Sequence, residues 1–221
     1  MIYLFCADVA PLSDNIFFDF ALERISDERK QKANKLNFRK DKNLSVGSQL
    51  LLIYTLKKAG YDYSSLIFKT EKNGKPYVEG ENVFFSVSHS GNMVLCGVSD
   101  SPIGVDIQKI DNFNHDIIAR FFGKNEQRAI LSMKDNDAKK NMFYKIWTLK
   151  ESYSKMTGEG LGGFRKFEVT TEGNTSACGV IPGCRFFESY LEGYRVGAAF
   201  MAEDNLKSVE KIDLTCCREI F

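Results

Sequence analysis

The sequence predicts an α+β protein, because helical segments are followed by short β-prone segments twice along the chain. The two clearest helical segments are residues 46–59 and 138–156. Each ends at a glycine, Gly60 or Gly158, where a left-handed helix cap is expected. No residue-level repeat relates the two passes. We therefore expect two halves, each a small sheet packed with helices.

The first half is predicted to contain one strand, two helices and then a pair of strands. The elements are strand 2–9, helix 26–42, helix 46–59, strand 84–88 and strand 93–98, with a turn at Asn73-Gly74 before residues 75–78. Helix 26–42 is rich in charged residues and carries only a partly apolar stripe. Helix 46–59 is the better-defined helix of this half.

The second half is predicted to begin with a strand and to contain the strongest helix of the chain. Its elements are strand 103–107, a helical region 116–133 broken at Gly123, helix 138–156 and a tail of strands from residue 164, with turns at 172–174 and 192–193. The halves are expected to join near residues 99–102. This divides the chain into an N-terminal half, residues 1–100, and a C-terminal half, residues 101–221.

Composition excludes several classes of protein. The 221 residues carry 30 Lys and Arg against 29 Asp and Glu, and this net charge of +1 argues against a nucleic-acid partner. A hydrophobic content of 43% excludes a disordered chain. No apolar run approaches the roughly 20 residues that span a bilayer, so no membrane partner is expected. Six cysteines without a CxxC pair indicate reduced thiols in a cytoplasmic protein.

Two strand segments carry residues suited to binding chemistry. Residues 86–91 (SVSHSG) end a strand with hydroxyls, an imidazole and an open glycine backbone, which suit a phosphate but also fit an ordinary strand exit. In residues 103–108 (IGVDIQ), strand alternation places Asp106 and Gln108 on one face. Their oxygens form half of a hard-cation site, although a solvent-facing edge strand has the same pattern.

A third segment lies on the predicted long helix. Trp147, Glu151 and Lys155 are spaced at i, i+4 and i+8, so they stack on one helical face. An amphipathic helix with a surface Glu–Lys pair would also produce this row. Trp147 is the only tryptophan of the chain, which favours a packed site.

Together these segments resemble the 4′-phosphopantetheinyl transferase superfamily, specifically its larger, Sfp-type (surfactin-synthetase-activating) members. The family patterns are an SxSHSG-like loop, a (V/I)G(V/I)D strand and a W(S/T/C)xKE(A/S)xxK helix; here they read SVSHSG, IGVD and WTLKESYSK. The turn Gly74-Lys75-Pro76 is a fourth match, and the resemblance covers about residues 25–165. It implies a pseudo-dimeric fold of two structurally similar halves, with coenzyme A in the cleft between them.

The resemblance implies transfer of the 4′-phosphopantetheine group of coenzyme A to a serine of an acyl or peptidyl carrier protein, with release of adenosine 3′,5′-bisphosphate. Asp106, Glu151 and Lys155 would be the catalytic residues. Asp106, Gln108 and Glu151 would bind Mg²⁺, or Mn²⁺ in its place. Because larger members hold both halves in one chain, we expect a monomer.

The resemblance also implies residues that bind coenzyme A. These are Lys75, Pro76, Ser88, His89 and Lys150, with Lys42, Arg29 and Lys32 as further basic candidates. Two positions depart from the family. Gln108 stands where many members have a third acid, which predicts weaker Mg²⁺ affinity, and Leu44 stands where an arginine for a coenzyme A phosphate is usual.

Two rival functions remain open from the sequence. A non-catalytic member could bind coenzyme A or a carrier without turnover, and the departures at Gln108 and Leu44 favour it. Another transferase using coenzyme A, such as an acetyltransferase, would normally show a Gly/Arg-rich pyrophosphate loop, which is absent here. The glycine-rich residues 158–163 serve either as a helix stop or as a mobile flap.

Overall fold

The computed structural model describes residues 1–170, 176–201, 203 and 206–220. The helices are α1 (Asn15–Arg24), α2 (Asp27–Asn34), α3 (Arg39–Lys58), α4 (His115–Phe121), α5 (Lys124–Leu131) and α6 (Asn136–Thr157). The strands are β1 (Ile2–Asp8), β2 (Phe68–Thr70), β3 (Pro76–Val78), β4 (Phe84–Ser90), β5 (Met93–Ser99), β6 (Ile103–Lys109), β7 (Glu168–Thr170), β8 (Ser176–Cys178), β9 (Arg185–Leu191), β10 (Tyr194–Phe200) and β11 (Glu210–Ile212). Short 3₁₀ segments cover Ala10–Ser13, Tyr63–Ser65, Leu161–Lys166 and Leu214–Ile220.

The protein is an α+β structure in which two sheets are packed between two long helices. One sheet has the strand order β11-β1-β5-β4 and the other has the order β6-β10-β9, while β2-β3 and β7-β8 form two small hairpins. Every pair is antiparallel except β1 with β11. Helix α3 covers the outer face of the first sheet, and α6 covers the outer face of the second.

Strand alternation explains these layers. On β1, Leu4 and Cys6 pack between the sheets, whereas Phe5 and Ala7 face the cluster around α3. On β6, Ile103, Val105 and Ile107 join the layer between the sheets. Asp106 therefore points to the opposite face of β6, the face covered by α6.

Helix α6 lies unusually close to the second sheet because two strands carry glycine beneath it. A Cβ added to Gly104 on β6 would lie 2.0 Å from the backbone oxygen of Ser152, and one added to Gly197 on β10 would lie 2.7 Å from the backbone of Thr148. The helix backbone therefore rests directly on the strands at these two points. This contact fixes the height of the Glu151–Lys155 turn above Asp106.

The two sheets are also joined by serine side chains between β4 and β6. The hydroxyls of Ser86, Ser88 and Ser90 accept hydrogen bonds from the backbone N–H groups of Val105, Ile107 and Lys109 at 3.0, 3.4 and 3.0 Å. Alternate residues of β4 thus supply the acceptors that a neighbouring strand would normally supply.

Several predicted elements are confirmed. Strands β1, β4, β5 and β6 and helix α6 lie where the sequence predicts them, and Gly123 separates α4 from α5. The turn at 192–193 joins β9 to β10, with positive φ at Glu192 and Gly193. The predicted turn at 172–174 lies outside the described residues.

The prediction of one helix over residues 26–42 is wrong. Helix α2 ends at Asn34, and α3 already begins at Arg39, after Phe38 adopts an extended conformation as its N-cap. Charged residues continue on both sides of this break, so charge pattern alone does not reveal it. Helix α1 and strand β2 are additional elements; the three phenylalanines of α1 hide its helical period.

The end of the described chain returns to the first sheet. Strand β11 pairs in parallel with β1, and Leu214 and Cys217 are buried in the cluster around α3. The division at residue 100 is retained as a proposal, with the addition that residues 210–220 pack with the first half. Among the described residues, none of the helices has the length and apolar character needed to cross a membrane.

The close contact under α6 predicts the effect of adding one methyl group. Gly104→Ala would press its Cβ against the backbone of Ser152 and Met156, which cannot move aside as a flexible side chain can. We expect it to lower the free energy of unfolding by about 3 kcal/mol, measured by urea denaturation. Gly162→Ala is the control, since nothing lies within 4 Å of its Cβ position; equal effects of the two would contradict this account.

Candidate active site

A cavity of about 700 Å³ lies in the cleft between the two halves. Its walls come from α2, α3, the β2–β3 turn, β4, α6 and the segment after α6. The residues that line it include Arg29, Lys32, Asp41, Leu44, Ser45, Ser48, Leu52, Asn73, Gly74, Lys75, Pro76, His89, Glu151, Lys155, Gly158, Gly160 and Leu161. The cavity therefore brings together seven of the predicted site residues: Arg29, Lys32, Lys75, Pro76, His89 and the pair Glu151 and Lys155 on α6.

Asp106 is the buried carboxylate of the site. It is 1% exposed, and its Oδ1 accepts hydrogen bonds from Ser88 Oγ at 2.7 Å and from Lys155 Nζ at 2.7 Å. Lys155 Nζ also donates to Ser88 Oγ at 2.8 Å. Three predicted residues from β4, β6 and α6 therefore form one triangle of polar contacts. The half-exposed Lys155 connects this buried triangle to the cavity.

Glu151 faces the cavity and has no hydrogen bond or ion pair within the described part of the chain. Burial raises the pKa of its carboxyl group, and the negative charge of Asp106 raises it further, while Lys155 acts in the opposite direction. When two carboxylates repel each other in a partly buried site, a bound proton or cation stabilises them. Glu151 is thus the carboxylate most available for proton transfer.

Gln108 continues the polar face of β6 beyond Asp106. Its Nε2 donates to Asp106 Oδ2 at 3.2 Å, and its Oε1 accepts from Ser90 Oγ at 3.3 Å. The amide nitrogen therefore faces Asp106 in this arrangement. Gln108 also lines a second polar cavity of about 470 Å³, together with Lys40, Asn112 and Tyr144.

His89 lies in the cavity next to Lys155. Its partial removal from solvent lowers the pKa of the imidazole, and the positive charge of Lys155 lowers it further, while Asp106 opposes both effects. An anionic ligand would reverse part of this shift. The side chain alternates with Ser88 on β4, so Ser88 points towards β6 and His89 points into the cavity.

The β2–β3 turn forms another wall and contacts the end of α6. Lys75 Nζ donates to the backbone oxygen of Met156, and Asn73 Nδ2 donates to the backbone oxygen of Gly158 at 3.3 Å. Burial lowers the pKa of Lys75. The predicted residues Lys75 and Pro76 are therefore held against the second half, on the border of the cavity.

Two predicted coenzyme A contacts, Lys150 and Lys42, are not among the residues that line the cavity. Lys150 is fully buried on the core side of α6, where its Nζ contacts Glu126 and the backbone oxygens of Phe164 and Phe167. One helical position separates it from Glu151, and this turns it away from the cavity. Lys42 lies on α3 but is not among the residues that line the cavity, whereas Asp41, Leu44 and Ser45 are.

The sequence interpretation missed the wall that α3 contributes. Ser48 and Leu52 continue the row from Asp41 and Leu44 into the cavity at helical spacing. Ser48 is 8% exposed, and its Oγ is buried without a hydrogen-bond partner among the described residues. That spacing was a usable signal, because positions 41, 44, 48 and 52 share one helical face.

Comparison with known proteins identifies the family of this site. A family model described as 4′-phosphopantetheinyl transferase, N-terminal, matches residues 11–100, and one described as 4′-phosphopantetheinyl transferase superfamily matches residues 102–199. The chain belongs to the 4′-phosphopantetheinyl transferase superfamily. The second match contains Asp106, Gln108, Glu151 and Lys155, and the first contains His89.

Similar proteins include two from Bacillus subtilis. The chain is 32% identical over 145 residues to a 4′-phosphopantetheinyl transferase, covering 65% of this chain and 64% of that protein. It is 34% identical over 139 residues to 4′-phosphopantetheinyl transferase Sfp, covering 62% of each. In both cases less than two thirds of the relative is spanned. A crystal structure of Thermotoga maritima holo-[acyl-carrier-protein] synthase aligns with a TM-score of 0.37 and 21% identity, over 45% of this chain and 62% of that one.

The surroundings of His89 predict its titration. We expect its pKa below the ordinary histidine value, and we expect Lys155→Met to raise it by removing a neighbouring positive charge. NMR titration of the imidazole measures both. The stability that His89 contributes is complete above the ordinary pKa and is lost as the pH falls below it, because the unfolded chain binds the proton more readily. An unchanged His89 pKa in Lys155→Met would contradict this assignment.

Proposed function

We propose that the protein transfers the 4′-phosphopantetheine group of coenzyme A to a serine of a carrier protein and releases adenosine 3′,5′-bisphosphate. The observation that carries the proposal is the convergence of Glu151, Lys155 and His89 on one cavity, with Lys155 linked to the buried Asp106. The relatives from Bacillus subtilis are named 4′-phosphopantetheinyl transferases, which supports the same transfer reaction. The remaining walls of the cavity fit a nucleotide that carries several phosphates.

The cavity has the charge and shape that coenzyme A requires. Arg29, Lys32, Lys75 and His89 supply positive or proton-donating groups on several sides. Leu44 and Leu52 supply an apolar wall on α3, and Pro76 supplies one on the β2–β3 turn. The unpartnered hydroxyl of Ser48 supplies a hydrogen-bonding group inside that apolar wall. In this proposal the apolar walls contact the adenosine and the basic groups contact the phosphates.

The acidic residues fit a divalent cation. Among the described residues no three His, Cys, Asp or Glu side chains converge, so in this proposal the cation is held by two carboxylates, Asp106 and Glu151, with the Gln108 amide beside Asp106. Burial raises the pKa of Glu151 and the charge of Asp106 raises it further, and a cation held by these two acids would favour their charged forms. Mg²⁺ prefers one or two carboxylates together with phosphate oxygens and water. When bound, Mg²⁺ would offset the charge that develops on the transferred phosphate.

The residues of this chain perform the transfer by holding and moving one proton. Glu151 accepts the proton of the carrier serine hydroxyl, and the serine oxygen forms a bond to the β-phosphorus of coenzyme A. The bond from that phosphorus to the bridging oxygen breaks, and adenosine 3′,5′-bisphosphate leaves. Lys155 lies within the cavity beside Asp106, where its ammonium group attracts the leaving phosphate. His89, which lies next to Lys155 in the cavity, binds a phosphate oxygen of coenzyme A.

A second candidate is a member that binds coenzyme A or a carrier without turnover. The specific observation in its favour is that Gln108 presents its amide nitrogen to Asp106. Metal binding would require the amide to turn so that its oxygen faces the cation. We favour the transferase because Glu151 remains free of hydrogen bonds and ion pairs within the described residues and faces the cavity.

The partner in this proposal is an acyl or peptidyl carrier protein. Arg29 and Lys32 of α2 line the cavity, and their positive charge would speed association with an acidic carrier. Both halves of the site come from one chain, so we propose that the protein works as a monomer in the cytoplasm.

The proposal is tested by intact mass of an apo carrier incubated with the protein, coenzyme A and Mg²⁺. We expect the carrier to gain one phosphopantetheine group. Glu151→Gln should lower kcat by about 10²–10⁴-fold, because the serine loses its general base. The chelated sample should show no gain, and the control Glu81→Gln, at an exposed residue that is not among those lining the cavity, should match the wild type.

The outcomes separate the two candidates. If neither an acyl nor a peptidyl carrier gains mass while coenzyme A still binds, the transferase proposal fails and the non-catalytic candidate is supported. Gain of an acetyl group from acetyl coenzyme A would indicate a different transferase. Full activity of Glu151→Gln would contradict its role as the base.

The neutral amide at position 108 predicts a change in metal requirement. Gln108→Glu adds a third carboxylate next to Asp106, so half-maximal activity should need less Mg²⁺. A Mg²⁺ titration of the transfer rate measures this, and Gln31→Glu, at an exposed position of α2 that is not among the residues lining the cavity, is the control. An unchanged titration midpoint in Gln108→Glu would contradict a role for position 108 in the metal site.

A further inference from the structure

A buried ion pair lies behind the active-site helix and is not used by the proposed chemistry. Lys150 Nζ and Glu126 Oε1 are 3.0 Å apart, and both side chains are completely excluded from solvent. Burial lowers the pKa of Lys150 and raises that of Glu126, while each partner favours the charged form of the other. Such a pair gives little net stability over well-packed apolar residues, because both charges lose their hydration. The backbone groups that the two side chains also bind therefore indicate what the pair does.

Each partner holds backbone groups from a different segment. Lys150 Nζ donates to the backbone oxygens of Phe164 at 2.7 Å and Phe167 at 2.8 Å. The carboxylate of Glu126 accepts from the backbone N–H groups of Gly123 and Val169, both at 2.7 Å. The pair thus ties the start of α5, the middle of α6 and the segment that leads into β7 to one point.

The segment held in this way is the glycine-rich wall, which we define as residues 158–167. Its first part lines the cavity through Gly158, Gly160 and Leu161, and its last part ends at the carbonyl groups that Lys150 binds. Gly158 and Gly160 have φ values of 77° and 65°, and four of the first six residues are glycine. A segment of this composition has many accessible conformations, so its shape depends on how its ends are held.

The two ends of the glycine-rich wall are held by different halves of the protein. At the first end, the Gly158 N–H donates to the backbone oxygen of Ser154 at 2.7 Å, and Asn73 from the first half binds the Gly158 oxygen. At the second end, the ring of the buried Phe164 packs against Trp147 at a centroid distance of 5.4 Å. The Lys150 contacts fix the backbone at that end. The exposed pair Glu159–Lys166 is the remaining ion pair across the wall in the described chain.

We infer that Lys150 and Glu126 are positioning residues that set the glycine-rich wall against coenzyme A. This inference rests on the proposed function, since coenzyme A is the ligand assigned to the cavity. Lys150 acts through the carbonyl groups of Phe164 and Phe167, and it touches neither the ligand nor the reacting atoms. The pair therefore affects the affinity for coenzyme A, and it has little effect on the rate of the chemical step once coenzyme A is bound.

The test uses a pair of replacements that removes both charges and keeps the volume. In Glu126→Gln with Lys150→Met no buried charge is left without a partner, which preserves folding better than either single change. We expect faster hydrogen–deuterium exchange over residues 158–167 and a roughly tenfold weaker affinity for coenzyme A by calorimetry, because the wall is no longer held in one position. The KM for coenzyme A should rise by a similar factor, while kcat and the KM for the carrier stay close to wild type.

The matched control is Asp137→Asn with Lys140→Met, which removes an exposed ion pair from the first turns of the same helix. It should leave exchange of the wall and affinity for coenzyme A unchanged. A folded double variant at 126 and 150 with wild-type exchange and wild-type affinity would overturn the inference. Equal loss of kcat and affinity for the carrier would overturn it too, since this would indicate general damage.

A milder variant and the wild-type protein provide two further measurements. If the double variant does not fold by circular dichroism, Glu126→Asp keeps both charges but shortens the reach of the carboxylate. This variant should show a smaller rise in exchange and KM, and unchanged values would overturn the inference. If the wild type neither binds coenzyme A nor modifies a carrier, the proposed function fails, whereas the exchange measurement still reports whether the pair holds the wall.

Discussion

The junction between β4 and β6 is the constraint on which the rest of the structure depends. A strand at the edge of a sheet has backbone N–H groups that need acceptors. Here three alternate serines of β4 supply these acceptors, and Ser88, in the middle, also binds the side chains of Asp106 and Lys155. The contact that joins the two sheets is therefore part of the candidate site. A displacement of one half relative to the other would disturb both at once.

The charged groups around this junction differ in how they are neutralised. Asp106 has a cation and a hydroxyl within hydrogen-bond distance, and Glu126 has a cation and two backbone donors. Glu151 is half-buried and has neither within the described residues, so no direct contact offsets the cost of burying its charge. In a folded protein such an acid is unfavourable unless a ligand, a metal or a proton transfer makes use of it. This contrast distinguishes an acid with a structural role, Glu126 on α5, from an acid with a functional role, Glu151 on α6.

Much of the fold and part of the site could be predicted from the sequence, and particular residues show where prediction ended. Alternation along β6 correctly separated Asp106 from Val105 and Ile107, because a strand has a simple two-residue period. Lys150 was misassigned because its neighbour Glu151 faces the cavity, yet Ile146 and Tyr153 share the buried side of α6 with it. The break between α2 and α3 could not be predicted, since charged residues flank it on both sides. The helical spacing of Ser48 with positions 41, 44 and 52 could have been found in the sequence, but the sequence alone does not show that this face lines the cavity.

The parallel pairing of β11 with β1 has a consequence for the order in which this molecule can assemble. The first strand of the chain lacks one neighbour until residues 210–212 reach it, and by then the second half has already been synthesised. A protein emerging from the ribosome therefore cannot finish its first half first, although N-terminal units commonly fold ahead of later ones. Leu214 and Cys217 likewise reach the core around α3 only at this stage. Completion of the first sheet thus depends on contacts between the two extremes of the described chain, the contacts that form slowest in folding.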